Sequence, residues 1–231
     1  MNVFSAEEWQ AIALSLKVSF LATLLALPFA VVVALVLARK NFWGKGVLNT
    51  LVHLPLVLPP VVTGYALLWL FGRRGPVGRL LDDRLGIVLA FDWTGAALAS
   101  AIMAFPLIVR PIRLGFEAVD PQLEDAAGTL GAGPLWIFAL VTLPLVAPSV
   151  VAGAVLGFAK AMGEFGATIT FVSSIPGRTQ TVPSAIYALL QVPGGEARAL
   201  RLAGFSVLLA VCALVASEAL ARRMTRRVRG G

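Results

Sequence analysis

The sequence predicts an all-α membrane protein with five transmembrane helices, and two observations carry this prediction. Only 13% of the 231 residues are charged and 58% are hydrophobic, whereas about 25% of the residues of a soluble domain are charged. The charges are also clustered, because residues 18–38, 46–72 and 135–159 contain no Asp, Glu, Lys or Arg. A membrane helix needs roughly 20 apolar residues. Several runs of this length in one short chain indicate membrane spans rather than a buried core.

The apolar runs define a single domain with a core at residues 12–221. Ser5 and Glu8 have the spacing of a capping box, so the first helix is expected to begin before the membrane. Pro28 predicts a kink in that helix, and the adjacent Pro59 and Pro60 predict a break or bend in the second span. The five predicted spans cover residues 12–38, 47–71, 87–109, 135–159 and 202–221.

Residues 163–195 are apolar in patches, but glycines and prolines interrupt them too often for a simple span. A short helix at about residues 181–191 is expected at the membrane surface. Irregular backbone at membrane depth is tolerated only where protein or a water-filled cavity surrounds it. The segment therefore predicts a gate or pathway lining, with a surface loop as the alternative. The candidate gate and pathway residues are Gly163, Glu164, Phe165, Gly166, Thr168 and, in the second span, Thr63.

Glu164 needs a separate interpretation, because a carboxylate at the end of an apolar span is costly. Lys160 precedes it by four residues, which places both side chains on one helix face. A structural ion pair between these two residues is one interpretation, and a gate or docking role for Glu164 is the other.

The net charge of +7 arises partly from a basic tail. Arginines just past an apolar segment are typical of a cytoplasmic anchor against anionic lipid, and no basic residue precedes Lys17. The N-terminus is therefore expected outside and the tail inside. Nucleic-acid binding is not expected, because no basic stripe with interleaved aromatic residues accompanies the tail. The lone Cys212 provides neither a disulfide nor a metal site. The tail arginines are Arg222, Arg223, Arg226, Arg227 and Arg229.

Two other function classes are disfavoured. The polar groups within the spans are scattered and form no catalytic set, which argues against a membrane enzyme. Neither internal repeats nor additional spans are visible, which argues against an ion-coupled secondary transporter. The chain also lacks a G-x-x-x-x-G-K-[ST] loop for ATP phosphates, so energy for transport is expected from a partner. The scattered groups are His53, Asp92, Glu164 and Glu218.

Residues 110–136 form the longest hydrophilic stretch on the predicted inner side, and the segment 118–133 within it is the predicted coupling segment. Asp120 followed by Pro121 is a favourable helix start, and acids in the first turns suit the helix dipole. Ala126 and Ala127 then predict a small, close-packing face, and Gly131 with Gly133 ends the helix. A short cytoplasmic helix with a smooth face is therefore expected between two membrane segments.

The pattern Asp125-Ala126-Ala127-x-x-x-Gly131, followed after nine residues by Val141-x-Leu143-Pro144, resembles the EAA motif of ABC importer permeases. Asp replaces the usual Glu and Val the usual Ile. The resemblance covers nearly the whole chain and implies the five-span fold of a type I importer permease. It implies that the short helix is a coupling helix seated in a groove of an ATPase. The implied coupling residues are Asp125, Ala126, Ala127, Gly131, Leu143 and Pro144.

A second pattern is narrower. The stretch Gly163-Glu164-Phe165-Gly166-Ala167-Thr168-Ile169, and the later Ile175-Pro176-Gly177-x-Thr179-x-Thr181-x-Pro183, resemble the molybdate permease subunits of this family. Tungstate and sulfate permeases are the alternatives.

The resemblance implies a bacterial inner-membrane homodimer with two cytoplasmic ATPase subunits and an external molybdate-binding protein. It implies a non-catalytic subunit that binds no cofactor of its own, with ATP used by the partner.

Overall fold

The computed structural model describes the backbone of residues 4–228 and the side chains of residues 4–216 and 219. The regular secondary structure of these residues is entirely helical. The tail arginines and Glu218 lie outside the described side chains. The helices are α1 (Ala6–Arg39), α2 (Lys45–Val57), α3 (Pro60–Phe71), α4 (Pro76–Leu85), α5 (Trp93–Glu117), α6 (Pro121–Thr129), α7 (Pro134–Ile137), α8 (Leu143–Met162), α9 (Gly166–Val172), α10 (Val182–Leu190) and α11 (Glu196–Val228), and the π-helical turn Phe138–Thr142 joins α7 to α8.

The predicted class, an all-α membrane fold with five spans, is confirmed. Among the described residues, four helical stretches are long and apolar enough to cross a membrane: Ala6–Arg39, Trp93–Glu117, Pro134–Met162 and Glu196–Ala216. Helices α2 and α3 add a fifth span only as a pair bent by 112°. The bend falls where Pro59 and Pro60 stand, because neither residue has an amide N–H for the preceding turn. Helix α1, in contrast, continues through Pro28 without a break.

The helix of the third span starts and ends later than the predicted range 87–109. It begins at Trp93, because the Asp92 carboxylate caps it by accepting a hydrogen bond from the Thr94 N–H at 3.1 Å. It then runs through Pro106 and Pro111 to Glu117. The apolar residues 87–90 before it are not helical.

Helix α5 lies at the centre of the bundle and packs against α1 on one side and α8 on the other. The contact with α8 depends on glycines, because a Cβ at Gly153 or Gly157 would collide with Ile108. Small residues let helix backbones approach closely where lipid supplies no hydrophobic drive for association. Helix α1 contributes a matching stripe of buried alanines, Ala22, Ala26, Ala30 and Ala34.

Helices α1 and α5 run in the same direction. The Lys17 ammonium, in the first half of α1, lies 3.5 Å from the centre of the ring of Trp93, the first residue of α5. The end of α1 meets α6, which follows the end of α5. One end of the bundle, called the α6 side, therefore holds residues 39–45 and 117–142. The opposite side holds α9, α10 and the start of α11.

The opposite side is fastened by a buried carboxylate. Glu8, 2% exposed, forms the predicted capping box with Ser5 and accepts hydrogen bonds from Arg198 at 3.2 Å and Arg201 at 3.3 Å. The start of α11 is thus joined to the start of α1. Ser15 adds a second connection, because its Oγ accepts the Val182 N–H of α10 at 2.7 Å.

Candidate functional site

The predicted hydrophilic helix on the α6 side is present as α6, Pro121–Thr129. Asp120 caps it by accepting the Gln122 N–H at 2.9 Å, and Pro121 occupies the first helical position. The helix ends at Thr129, Leu130 is its C-cap, and Gly131 follows with a φ of +86°. That left-handed conformation suits glycine, which explains a glycine just beyond the end of the helix.

The two faces of α6 are chemically different. Asp125 and Ala126 are exposed, and Ala127 is half-buried. The preceding residue, Glu124, points the other way and accepts hydrogen bonds from Arg39 Nη2 at 3.0 Å and Thr142 Oγ1 at 2.6 Å. One acid therefore holds α6 to the bundle while its neighbour in the sequence faces outward.

Leu143 and Pro144, the last two residues of the predicted coupling set, begin α8. The Leu143 N–H donates to the Phe138 carbonyl five residues earlier, which is the hydrogen bond of a π-helical turn. Both side chains are exposed. The motif residues thus lie on α6, just beyond its end at Gly131, and at the start of α8, and α7 with the π-helical turn connects the two regions.

The predicted ion pair of Glu164 with Lys160 is present. Lys160 Nζ lies 2.7 Å from Glu164 Oε2, and the Glu164 side chain is 1% exposed. The other carboxylate oxygen accepts the Ala167 N–H in the first turn of α9 at 2.9 Å. Glu164 therefore joins the end of α8 to the start of α9, and its charge is compensated within the protein.

Gly166, another candidate pathway residue, lies where α9 packs against α3. Pro60 packs on Gly166, since a Cβ at Gly166 would lie 2.6 Å from the Pro60 Cβ. One turn further on, a Cβ at Gly64 would lie 2.8 Å from the Thr170 Cβ. The second span and segment 163–195 are therefore in direct contact, although about 100 residues separate them in the chain.

The hydroxyl groups near this contact differ in how they are bonded. Thr168 is buried and donates to the backbone carbonyls of Glu164 at 3.3 Å and Phe165 at 2.9 Å. Thr63 is also buried, but its Oγ1 has no hydrogen-bond partner among the described residues. Of the two predicted pathway hydroxyls, only that of Thr63 lacks a hydrogen-bond partner among the described residues.

The other two candidates lie at the edge of this region. Phe165 faces Tyr187 of α10, with ring centroids 5.3 Å apart. Gly163 is exposed at the end of α8. The described residues contain no group of three or more His, Cys, Asp or Glu side chains that could hold a metal ion.

The sequence patterns do not identify the partners of Glu124. In the sequence, Arg39 stands just after the first apolar run, and Thr142 occupies the variable position between Val141 and Leu143. A polar residue inside an otherwise apolar run was the available signal, because buried hydroxyls require partners. The sequence pattern does not indicate which residue supplies that partner.

A bundle of membrane spans with an exposed short helix between its third and fourth spans has the architecture of the membrane subunit of a transporter. The family model described as "Binding-protein-dependent transport system inner membrane component" matches residues 26–226. The chain belongs to this family.

Curated relatives narrow the comparison. The chain is 56% identical over 220 residues to the molybdenum transport system permease protein ModB of Escherichia coli (strain K12), covering 95% of this chain and 96% of the relative. It is 51% identical over 224 residues to ModB of Haemophilus influenzae, covering 97% and 98% of the two chains. The sulfate transport system permease protein CysW of Synechococcus elongatus is 37% identical over 201 residues, covering 86% of this chain and 70% of that protein.

Solved structures share the fold at low sequence identity. A chain of a bacterial ABC transporter that imports the acidic polysaccharide alginate has a TM-score of 0.74 and 19% identity, covering 96% of this chain and 81% of that chain. A chain of an amino acid ABC transporter has a TM-score of 0.66 and 18% identity, covering 94% of both chains. These similarities establish the importer permease fold.

Proposed function

We propose that this chain is the non-catalytic membrane subunit of an ATP-driven importer that carries molybdate across the bacterial inner membrane. The observation that carries the proposal is the 56% identity to a molybdenum transport permease over 95% of the chain. The EAA-like motif supports it, because Asp125 and Ala126 are exposed on α6 and Leu143 and Pro144 are exposed at the start of α8.

The working complex in this proposal is a homodimer of the chain with two ATPase subunits and an external molybdate-binding protein. The α6 side faces the cytoplasm and the N-terminus lies outside. The ATPase binds and hydrolyses ATP and contacts Asp125, Ala126 and Ala127, whose small side chains let another surface approach closely. ATP-driven movement of α6 then changes which side of the membrane the pathway opens to.

The pathway in this proposal runs past the contact between α3 and α9. Tetrahedral oxyanions are held by neutral donors as well as by cations, and Thr63 Oγ1 is a buried hydroxyl without a partner among the described residues. Glu164 does not oppose the passage of an anion, because Lys160 neutralises its charge at 2.7 Å. Weak holding by a hydroxyl suits a pathway that must release its cargo.

Sulfate is the second candidate substrate, because the sulfate permease CysW is also similar over most of the chain. Tungstate forms a tetrahedral dianion like that of molybdate, and its transport is tested by the same uptake measurement with tungstate as the competitor. The higher identity to molybdenum permeases favours molybdate.

The test is reconstitution of the chain with its ATPase and binding protein in vesicles, followed by uptake of labelled molybdate. The proposal expects uptake that requires ATP and all three components and that persists in excess sulfate. Uptake abolished by sulfate would assign the permease to sulfate. Uptake without any ATPase would refute the ATP-driven mechanism.

A further inference from the structure

Three elements of the α6 side meet at a single carboxylate, that of Glu124. Arg39, the last residue of α1, donates to Glu124 Oε1 at 3.0 Å. Thr142, the last residue of the π-helical turn, donates to the same oxygen at 2.6 Å. Helix α6 is thereby joined to the end of the first span and to the start of the fourth.

The three groups depend on one another chemically. Thr142 is 3% exposed, so its hydroxyl has little access to water, and Glu124 is the acceptor that it uses. The side chains of Arg39 and Glu124 are 27% and 24% exposed, which leaves the ion pair less screened than a surface pair. Charge-assisted hydrogen bonds of this kind are roughly twice as strong as neutral ones. Loss of the carboxylate would leave both donors without their acceptor.

The position of the π-helical turn adds to the argument. Single π-helical turns occur frequently at functional sites, and this one lies between α6 and the long helix α8. Pro144 and Pro148 follow it, and neither can donate a backbone hydrogen bond. The start of α8 therefore has a weakened hydrogen-bond ladder, and the Thr142–Glu124 bond ties it to α6.

We infer that Glu124 is a positioning residue that transmits displacement of α6 to α1 and α8, while the exposed Asp125 faces the partner. This inference rests on the proposed function, because it assigns the transmission step within an ATP-driven importer. It makes Glu124, Arg39 and Thr142 one mechanical unit that is separate from the ATPase contact.

A positioning role predicts a specific defect, which is ATP hydrolysis without matching transport. In the reconstituted complex, E124Q keeps the size of the side chain but removes the charge that both donors use. The number of molybdate ions imported per ATP hydrolysed is expected to fall by a factor of about ten or more, because loss of one hydrogen bond to a charged group corresponds to at least that factor. R39M and T142V are expected to lower the same ratio. The double variant E124Q/T142V is expected to lose no more than E124Q, because residues that act as a unit are not additive.

Glu117→Gln is the matched control. Glu117 accepts from Arg113 at 2.7 Å on the same side of the molecule, with side chains of similar exposure, 38% and 29%. That pair lies within α5 and does not involve α6, so the import ratio of E117Q is expected to equal that of the wild type.

The outcomes separate the inference from the proposed function. A wild-type complex without ATP-dependent molybdate uptake would refute the proposed function and, with it, the inference. If the wild type transports and E124Q has a normal import ratio, only the inference is refuted. A parallel fall of assembly, ATP hydrolysis and import in E124Q would also refute it, because that pattern indicates a purely structural residue.

Discussion

Gly64→Ala is the substitution whose effect follows most directly from the structure. Gly64 is buried in α3, where the helix crosses α9. An added Cβ would lie 2.5 Å from the Ala167 carbonyl oxygen, 2.9 Å from the Ala167 Cα and 2.8 Å from the Thr170 Cβ. Two of these three atoms belong to the backbone, so no side-chain rotation relieves the overlap. Helices α3 and α9 would have to separate.

The magnitude follows from the cost of overpacking. One methyl group forced into a well-packed interior typically costs about 1–3 kcal/mol. For a chain of 150–250 residues, each kcal/mol lowers the melting temperature by roughly 2–4 °C. The melting temperature of purified G64A is therefore expected to fall by about 2–12 °C. Import is expected to decline as well, because the displaced contact joins the two segments that contain the pathway candidates.

Gly204→Ala is the matched control for this measurement. Gly204 lies inside helix α11 and is exposed, and an added Cβ there meets no atom within 4 Å. Alanine is the better helix former by about 1 kcal/mol, so the melting temperature of G204A is expected to stay the same or rise. A G64A protein that melts with the wild type, or equal losses in both variants, would refute the reasoning from the close α3–α9 contact.

Three further predictions test other contacts. K160M leaves the Glu164 carboxylate, 1% exposed, without its cation, so thermal unfolding is expected to show a loss of about 2 kcal/mol in stability. The double variant K160M/E164Q should recover part of this loss, and no recovery would contradict the ion-pair explanation. G131V places a β-branched residue at a φ of +86°, which costs roughly 1–2 kcal/mol, whereas Asn tolerates this conformation. G131N should therefore retain more import per ATP than G131V. Equal defects in the two variants would show that backbone conformation is not the cause. S15A removes the acceptor of the buried Val182 N–H. Hydrogen exchange at that amide should therefore accelerate, corresponding to a loss of about 1–3 kcal/mol in its protection. Unchanged exchange would contradict a stabilising connection between α1 and α10.

The elements that the sequence predicted well are those determined by local chemistry. The cap at Asp120 with Pro121 depends on neighbouring residues, and so does the capping box of Ser5 with Glu8. The bend at the proline pair follows from two missing amide donors. The Lys160–Glu164 pair follows from helical spacing. In each case the residues that interact are within four positions of each other.

The start of the third helix was harder to predict from hydropathy. Residues 87–90 are as apolar as a span requires, so composition alone extends the helix to Ile87. The structure begins the helix at Trp93, because the Asp92 side chain competes for the first amide groups and Phe91 has a φ of +60°. A capping side chain determines where a helix begins, and an average over hydrophobicity does not detect it.

The tandem acids Glu124 and Asp125 show why the site itself could only be predicted in part. Both acids suit the start of α6 equally well by the dipole argument. Successive residues on a helix point about 100° apart, however, and this rotation turns Glu124 to Arg39 and Thr142 while Asp125 remains exposed. Arg39 is 85 residues away from Glu124 in the sequence, so only the tertiary structure reveals which acid is internal.

The distribution of polar and small residues also bears on how such a bundle can move. Charged connections lie at the two ends, at Glu124 on the α6 side and at Glu8 on the opposite side. Between these ends, the alanines of α1 and the glycines of α8 pack against larger apolar side chains of α5 such as Ile108, and no ion pair between those helices is found among the described side chains. Small residues let these backbones approach closely, so a shift of one helix past another would break van der Waals contacts there and charged hydrogen bonds only at the ends of the bundle. The fold therefore attaches α6 and α11 through charged groups, whereas the contacts that helix shear would change in the middle of the bundle are uncharged.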